Sequence, residues 1–319
     1  MRWPLIRYLP SHTHIDFVRL APFAAVLSLL AVVASCVSFY AQGLNLGIDF
    51  AGGTQIEIVT PAAAPLGQLR GALNRMGVTD SQVQGFGGAN SAMLRFKPPQ
   101  GQDPNASVHQ VQTTLAQAFP GIQFKQVEVV GPKVSGELFR QGFMALGIAV
   151  LLMLAYIWFR FQLQFGLGAV IALAHDVLLT IGVLSALQIE FSTSSIAALL
   201  TVIGYSMNEK VITFDRLREN LRKYKKTPLR EVINLSENER LSRTLITGAS
   251  ALLALSGTLI MGGPALFPLV FTMAFGIVIG TYSSVYVALP VIPALGREPQ
   301  RRGRSHPAPG RAALGTAKP

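Results

Sequence analysis

Residues 244–296 read TLITGASALLALSGTLIMGGPALFPLVFTMAFGIVIGTYSSVYVALPVIPALG, without one Asp, Glu, Lys or Arg. A helix crosses a bilayer core with roughly 20 apolar residues, so this run is too long for one crossing and long enough for two. Met261-Gly262-Gly263-Pro264 supplies the break, because Gly and Pro punctuate helices and favour turns. Working outward from this stretch, further uncharged runs lie at 20–40, 141–159 and 191–208, the last continuing apolar past Glu209 and Lys210 to Phe214. A run at 161–189 is interrupted once, by Asp176. Together these runs predict an α-helical polytopic membrane protein with six transmembrane helices. Composition agrees: 50% of the 319 residues are hydrophobic and 13% are charged, against about 25% charged in soluble domains. A soluble globular enzyme does not fit this chain. The single cysteine, Cys36, leaves no intrachain disulfide framework and no Cys-based metal centre.

The net charge of +11 is distributed with a bias. Arg2, Arg7 and Arg19 precede the first run, Arg160 sits between the second and third, and nine basic residues fill 214–243. The tail carries Arg297, Arg301, Arg302, Arg304, Arg311 and Lys318, whereas the connections 188–191 and 261–265 hold no basic residue. The positive-inside rule therefore predicts cytoplasmic termini and a cytoplasmic basic segment 214–243. The same charge favours anionic lipids. A nucleic-acid role lacks any accompanying motif. The tail 297–319, rich in Pro, Gly and Arg, reads as disordered.

Residues 1–40 make a cytoplasmic N-terminus and first span, and 141–296 carry the other five spans. Between them, 41–140 form a folded extracytoplasmic (periplasmic) domain. Residues 54–59 alternate like a half-buried strand, and Leu66, Leu69, Leu73 and Met76 follow at helical spacing before Gly77. Short strands are expected at 81–86 and 92–97, around the turn Gly87-Gly88-Ala89-Asn90. Asp103-Pro104 opens a second helix bearing Val108, Val111, Leu115 and Phe119. A last strand around 122–129 slips phase once, as at a bulge. The order β-α-β-β-α-β is that of a small α+β ferredoxin-like domain. It contains no cluster of His, Cys or acids, so no metal, cofactor or enzymatic chemistry is expected of it, and docking or leverage suits it better.

Two local patterns imitate other chemistry. Val33-Ala34-Ser35-Cys36 resembles a lipoprotein cleavage box, but the apolar run continues beyond it, which favours a retained span with a buried, inert thiol. Gly204-Tyr205-Ser206-Met207-Asn208 resembles a hydrolase elbow without its second glycine. His175 and Asp176, adjacent on a helix, point about 100° apart and do not read as a natural dyad.

Charged residues at the centre of a span cost about 2.5–3.5 kcal/mol and usually mark relays or cavities. Asp176 lies mid-span and is the strongest candidate for a titrating group; a hydrogen-bonded packing role is its alternative. Glu209 and Arg243 lie at matching depth, roughly 27 and 28 Å from the outer ends of consecutive antiparallel spans at 1.5 Å per residue. They are placed to pair, or alternatively to snorkel to water as interfacial residues. Lys210 is read as snorkelling.

Five motifs in order carry a resemblance over residues 10–295: Gly47-Ile48-Asp49-Phe50-Ala51-Gly52-Gly53-Thr54, His175-Asp176-Val177, Gly204-Tyr205-Ser206-Met207-Asn208-Glu209-Lys210, Asp215-Arg216-Leu217-Arg218-Glu219-Asn220 and Leu241-Ser242-Arg243-Thr244-Leu245-Ile246-Thr247. With them the chain resembles the SecF family, protein-export membrane subunits of the bacterial SecDF complex in the resistance–nodulation–division superfamily. The resemblance implies a bacterial inner-membrane location and a six-span partner, SecD. It further implies the SecYEG channel and its translocating preprotein as associates, YajC as a further candidate partner, and export assisted by the proton-motive force. It places the proton-carrying acid on Glu209 and the matching arginine on Arg243; Asp176, read from the residues themselves, stands beside them as a third candidate for the relay. Many relatives carry Asp where this chain has Glu209. A proton-driven exporter of small molecules or lipids, and a non-transporting assembly scaffold, are the rival readings.

Overall fold

A computed structural model describes residues 13–98, 103–161 and 163–294. The chain enters through α1 (Phe17–Gln42), capped by Asp16, whose carboxylate accepts from Arg19 N at 3.1 Å. A link follows, comprising β1 (Asn45–Leu46) and the single turn α2 (Ile48–Ala51). The α/β domain then runs β2 (Gly53–Val59), α3 (Leu66–Arg75), β3 (Thr79–Gly85), β4 (Ser91–Lys97), α4 (Pro104–Ala118), β5 (Gln123–Val130). The remainder is helical: α5 (Pro132–Arg160), α6 (Leu163–Ala186), α7 (Thr193–Lys223), α8 (Leu229–Met261), α9 (Gly263–Tyr286) and the short α10 (Val291–Ala294), with β6 (Glu190–Phe191) between α6 and α7.

The domain has the β-α-β-β-α-β order that its periodicity predicts. Its antiparallel sheet is ordered β3-β4-β2-β5, and the register of β2 against β5 shifts between Glu57 and Ile58, matching the phase slip near Val127. The alternation of β2 explains the layering. Ile56 and Ile58 join Leu94 and Phe96 of β4 in a core with Leu69 and Leu73 of α3 and Val111 and Leu115 of α4. The opposite sheet face, bearing Gln55, Glu57, Met93 and Arg95, overlooks the helical bundle across a cavity of about 250 Å³ partly lined by Asp49, Glu190 and Thr193. Two glycines after α2 have distinct reasons. Gly53 has φ +119°, and a Cβ there would meet Phe96 O at 2.8 Å; Gly52, at φ +67°, would meet Ser135 Oγ at 3.1 Å.

Among the described residues, five helices are long and apolar enough to cross a membrane: α1, α5, α6, α8 and Ala265–Tyr286 of α9. Helix α7 is not one of these five; it is less apolar, with Ser195, Thr201, Ser206, Asn208, Glu209 and Lys210 along its length. It nonetheless packs against α9, α8, α6 and α5 and is the centre of the bundle. The sequence break at Met261-Gly262 is where α8 ends. The segment 214–243, expected as a connection, is mostly helix: α7 continues to Lys223 and α8 begins at Leu229. Asn234 and Asn238 of α8 hold the chain entry, accepting from Val18 N at 3.0 Å and Ile15 N at 2.9 Å.

The bundle inverts the usual burial pattern. Phe23 and Leu29 of α1, Leu151 and Leu152 of α5, and Leu253 and Ile260 of α8 are exposed, while Asp176, Glu209, Lys210, Glu237 and Arg240 are buried. In an apolar solvent there is no gain in hiding aliphatic groups, and polar groups must find partners inside. Close approach is made by small residues: Gly276 of α9 faces Val202 of α7, and Gly182 of α6 faces Ser35 of α1, each with no room for a methyl. Cys36, expected to be buried, is exposed on α1. Its side of the helix turns away from α6, and an uncharged thiol loses little by facing hydrocarbon.

Candidate functional site

Two polar clusters lie inside the bundle, linked through consecutive residues on α7 and α9. The first gathers on Asp176 of α6, which is 0% exposed. Its Oδ2 accepts from Lys210 Nζ at 2.8 Å, from Ser283 Oγ at 2.7 Å and from Ser206 Oγ. Lys210 Nζ also donates to Ser283 Oγ at 3.1 Å and to Ser206 Oγ. His175 Nδ1 lies 3.0 Å from Asp176 Oδ1, and its ring stacks on Tyr282. Two sequence expectations fail here. Lys210 does not snorkel; it is 0% exposed, because a carboxylate and two hydroxyls satisfy the ammonium inside. His175 and Asp176 do touch, since rotation about their side-chain torsions closes the 100° that separates their Cα–Cβ directions.

The second cluster is built on α7 and α8. Glu209 is 1% exposed, and its Oε2 accepts from Thr244 Oγ1 at 3.2 Å and lies 3.5 Å from Arg240 Nη1. Arg240 is held more tightly by Glu237, one turn earlier, with Nε to Oε1 at 2.9 Å and Nη2 to Oε2 at 2.7 Å. Its other donors reach Thr244 Oγ1 at 2.7 Å and Ser284 Oγ at 3.0 Å. Ser283 thus serves the first cluster and its neighbour Ser284 the second, as Lys210 and Glu209 do on α7.

The predicted Glu209–Arg243 pair is not formed. Arg240 occupies the place expected of Arg243, which is exposed. The azimuth of Arg243 differs from that expectation: Glu237, Arg240 and Thr244 recur at i, i+3, i+7 and share a face with Val232, Ile233, Ser236 and Gly248. Arg243 stands one position off that row. The row itself is readable in the sequence, but nothing there says which face of α8 turns toward α7, and the hydroxyls of Ser206, Ser283 and Ser284 carry no signal.

Arg243 instead lines a cavity of about 560 Å³ with Ile212, Asp215, Arg216, Glu219, Glu239 and Arg240, at the end of the bundle remote from the α/β domain. Arg216 bridges Glu219 at 2.7 Å and Glu239 at 2.9 Å on its wall, and Arg160 pairs with Asp215 beside it. Arg240 therefore has two exposures: its guanidinium belongs to the buried cluster and its surface to a polar vestibule.

The charges of the two clusters differ in sum. Asp176 with Lys210 is balanced. Glu209 and Glu237 with Arg240 leave one negative charge in excess if both carboxylates are ionised, and a single bound proton makes the group neutral.

Comparison with known proteins agrees with this architecture. Residues 110–298 match the family described as "Protein export membrane protein SecD/SecF, C-terminal", and residues 37–60 match the "SecD/SecF GG Motif". The chain is 45% identical over 302 residues to the "Protein translocase subunit SecF" of Cereibacter sphaeroides, covering 91% of this chain and 92% of that one. It is 39% identical over 291 residues to the protein of the same name from Rickettsia akari, covering 90% and 94%. Among solved structures, the crystal structure of SecDF, a translocon-associated membrane protein from Thermus thermophilus, superimposes with a TM-score of 0.81 at 30% identity. That match covers 93% of this chain and 40% of the solved one, so the chain spans about two fifths of that protein's length.

Proposed function

Because the chain belongs to the SecF family of protein translocase subunits, we propose that its second buried cluster carries protons whose passage drives its contribution to Sec-dependent export. The unbalanced set Glu209, Glu237 and Arg240 is the observation that carries this reading. In one state the proton sits on Glu209 and Arg240 binds Glu237, the geometry closest to the observed distances. When the proton moves to Glu237, the guanidinium is drawn to Glu209, across the 3.5 Å that now separates them. The vestibule at Arg240 and Arg243 supplies the aqueous side of the path. One charge moving through 100 mV releases about 2.3 kcal/mol, enough to shift a two-state helix packing nearly fiftyfold.

In this reading the protein lies in the bacterial inner membrane with α7 as a sixth crossing, the α/β domain periplasmic and ferredoxin-like, and both termini cytoplasmic. Its partners are SecD, for which the match to two fifths of a SecDF chain leaves room, then SecYEG with its translocating preprotein, and YajC. Anionic lipids meet the basic side. It is not an enzyme. The test is preprotein translocation into inverted vesicles, with and without an uncoupler, at matched levels of the complex. Glu209→Gln is expected to remove the uncoupler-sensitive component while leaving association with SecD intact. Full retention of that component would overturn the proton assignment and favour a scaffold.

A further inference from the structure

The α/β domain meets the bundle at a defined place. Glu190 lies in the six-residue link between α6, which carries Asp176, and α7, which carries Glu209 and Lys210. Arg95 stands on β4, on the sheet face turned toward that link, and is 7% exposed. Its Nε donates to Gln55 Oε1 at 2.8 Å and its Nη2 forms an ion pair with Glu190 Oε2. The carboxylate of Glu190 is pressed against the backbone of Gly47, where a Cβ would come within 2.6 Å of Oε1.

A second fastening adjoins the first. Asp49 of α2 accepts from Thr193 N at 2.9 Å and from Thr193 Oγ1, at the first residue of α7. Beneath both, Asn45 and Leu46 pair in parallel with Glu190 and Phe191, and Gly47 N donates to Phe191 O at 2.9 Å. The α6–α7 link is thus tied both to the stalk leaving α1 and to the middle of the sheet.

The ion pair is poorly arranged for stability alone. Arg95 Nη1 is buried without a hydrogen-bond partner among the described residues, and a buried pair with an unmet donor is often no better than an apolar contact. What it supplies is position: a planar guanidinium fixed on one side by Gln55 and on the other by a carboxylate.

We infer that Arg95 and Glu190 are positioning residues that couple the α/β domain rigidly to the α6–α7 link, so that displacement of the two helices bearing Asp176 and Glu209 is passed to the domain. The consequence for export rests on the proton-driven reading above; the fastening itself does not. It ties the glycines of 47–53 to mechanics: Gly47 admits Glu190, and Gly52 and Gly53 let the chain turn from the stalk into the sheet.

The experiment uses the full chain co-expressed with SecD, in a Cys36→Ser background. Spin labels at Gln68→Cys on α3 and Leu187→Cys after α6 report the separation of domain and link. The parent is expected to give one narrow distance distribution, Arg95→Glu a broad one, and Arg95→Glu combined with Glu190→Arg a narrow one again. Asp49 and Glu128, which face Glu190, favour the inverted pair. Uncoupler-sensitive export should be lost in Arg95→Glu and return in the double variant. An unchanged distribution in Arg95→Glu, or a double variant that restores neither readout, overturns the proposal. If Arg95→Glu does not accumulate, Glu190→Ala gives the same reading from the link side, broad for a coupling residue and narrow for an incidental one. If the parent's export ignores the uncoupler while Arg95→Glu still broadens the distances, the proton reading fails and the rigid coupling stands.

Discussion

The two buried clusters of the bundle sit side by side, contributed by neighbouring residues of α7 and α9, yet they are built on different principles. Around Asp176 one carboxylate meets one ammonium, two serine hydroxyls and the imidazole of His175, whose Nε2 is buried without a hydrogen-bond partner among the described residues. Around Arg240 two carboxylates compete for one guanidinium, and a vestibule touches it. The formal charges of Asp176 and Lys210 cancel, whereas those of Glu209, Glu237 and Arg240 do not, although both groups are buried. In the proton-driven reading proposed above, the first group holds helices together and the second changes state.

Substitutions can break this contrast. The largest effect is expected at Glu209: Glu209→Gln keeps volume and hydrogen-bonding reach but cannot exchange a proton, so uncoupler-sensitive export should vanish. Glu237→Gln should do the same if the two acids share one proton, and a normal rate there would return the exchange to Glu209 alone.

Next in size is the balanced pair. Lys210→Met leaves Asp176 uncompensated and should destabilise the protein by about 3–5 kcal/mol, whereas Lys210→Met with Asp176→Leu should recover most of that loss. Thermal unfolding of the purified complex reads both. A double variant as stable as the parent but inactive would move Asp176 into the proton path.

A smaller difference should separate the two arginines. Arg240→Lys loses the fork that grips Glu237 while reaching Thr244 and Ser284, so export should fall severalfold. Arg243→Lys, on the vestibule wall, should change it little. Equal losses would show that the partner of Glu209 changes during the cycle.

The smallest effect concerns pH at the domain interface. Burial pushes the Glu190 carboxyl above the ordinary carboxylate range, against the opposing pull of Arg95 and with the help of Asp49 and Glu128. Glu57 lines the same cavity. A raised value means that the docked state holds the proton more tightly than a state with Glu190 in water. Docking therefore gains as pH falls and loses as pH rises through the docked-state value. The spin-label distribution should broaden slightly as pH rises from the ordinary carboxylate range through the docked-state value, and Glu190→Gln should flatten that response.

Much of this was legible in the residues themselves. The break at Gly262, the β-α-β-β-α-β order and the phase slip in β5 follow from hydropathy and from periods of two and 3.6, which are properties of a chain read along its length. Asp176 and Glu209 stood out as charges within apolar runs, and both are buried in the bundle. Depth is a count of residues from the end of a helix.

Azimuth is different. Which of Arg240 and Arg243 meets Glu209 depends on how α8 is rolled against α7 and α9, and α8 is apolar on both sides through much of its length, so its amphipathicity gives weak instruction. The same reason hid Lys210: whether an ammonium snorkels or turns inward is decided by Asp176 of α6 and Ser283 of α9, groups on other helices that packing brings to it. The amino-acid sequence alone thus determined the membrane class and the strand and helix order, and it drew attention to Asp176 and Glu209 but not to Glu237 or Arg240. Only the packing of helices against one another decided which charges share a partner, because pairing is a property of facing surfaces and not of position along the chain.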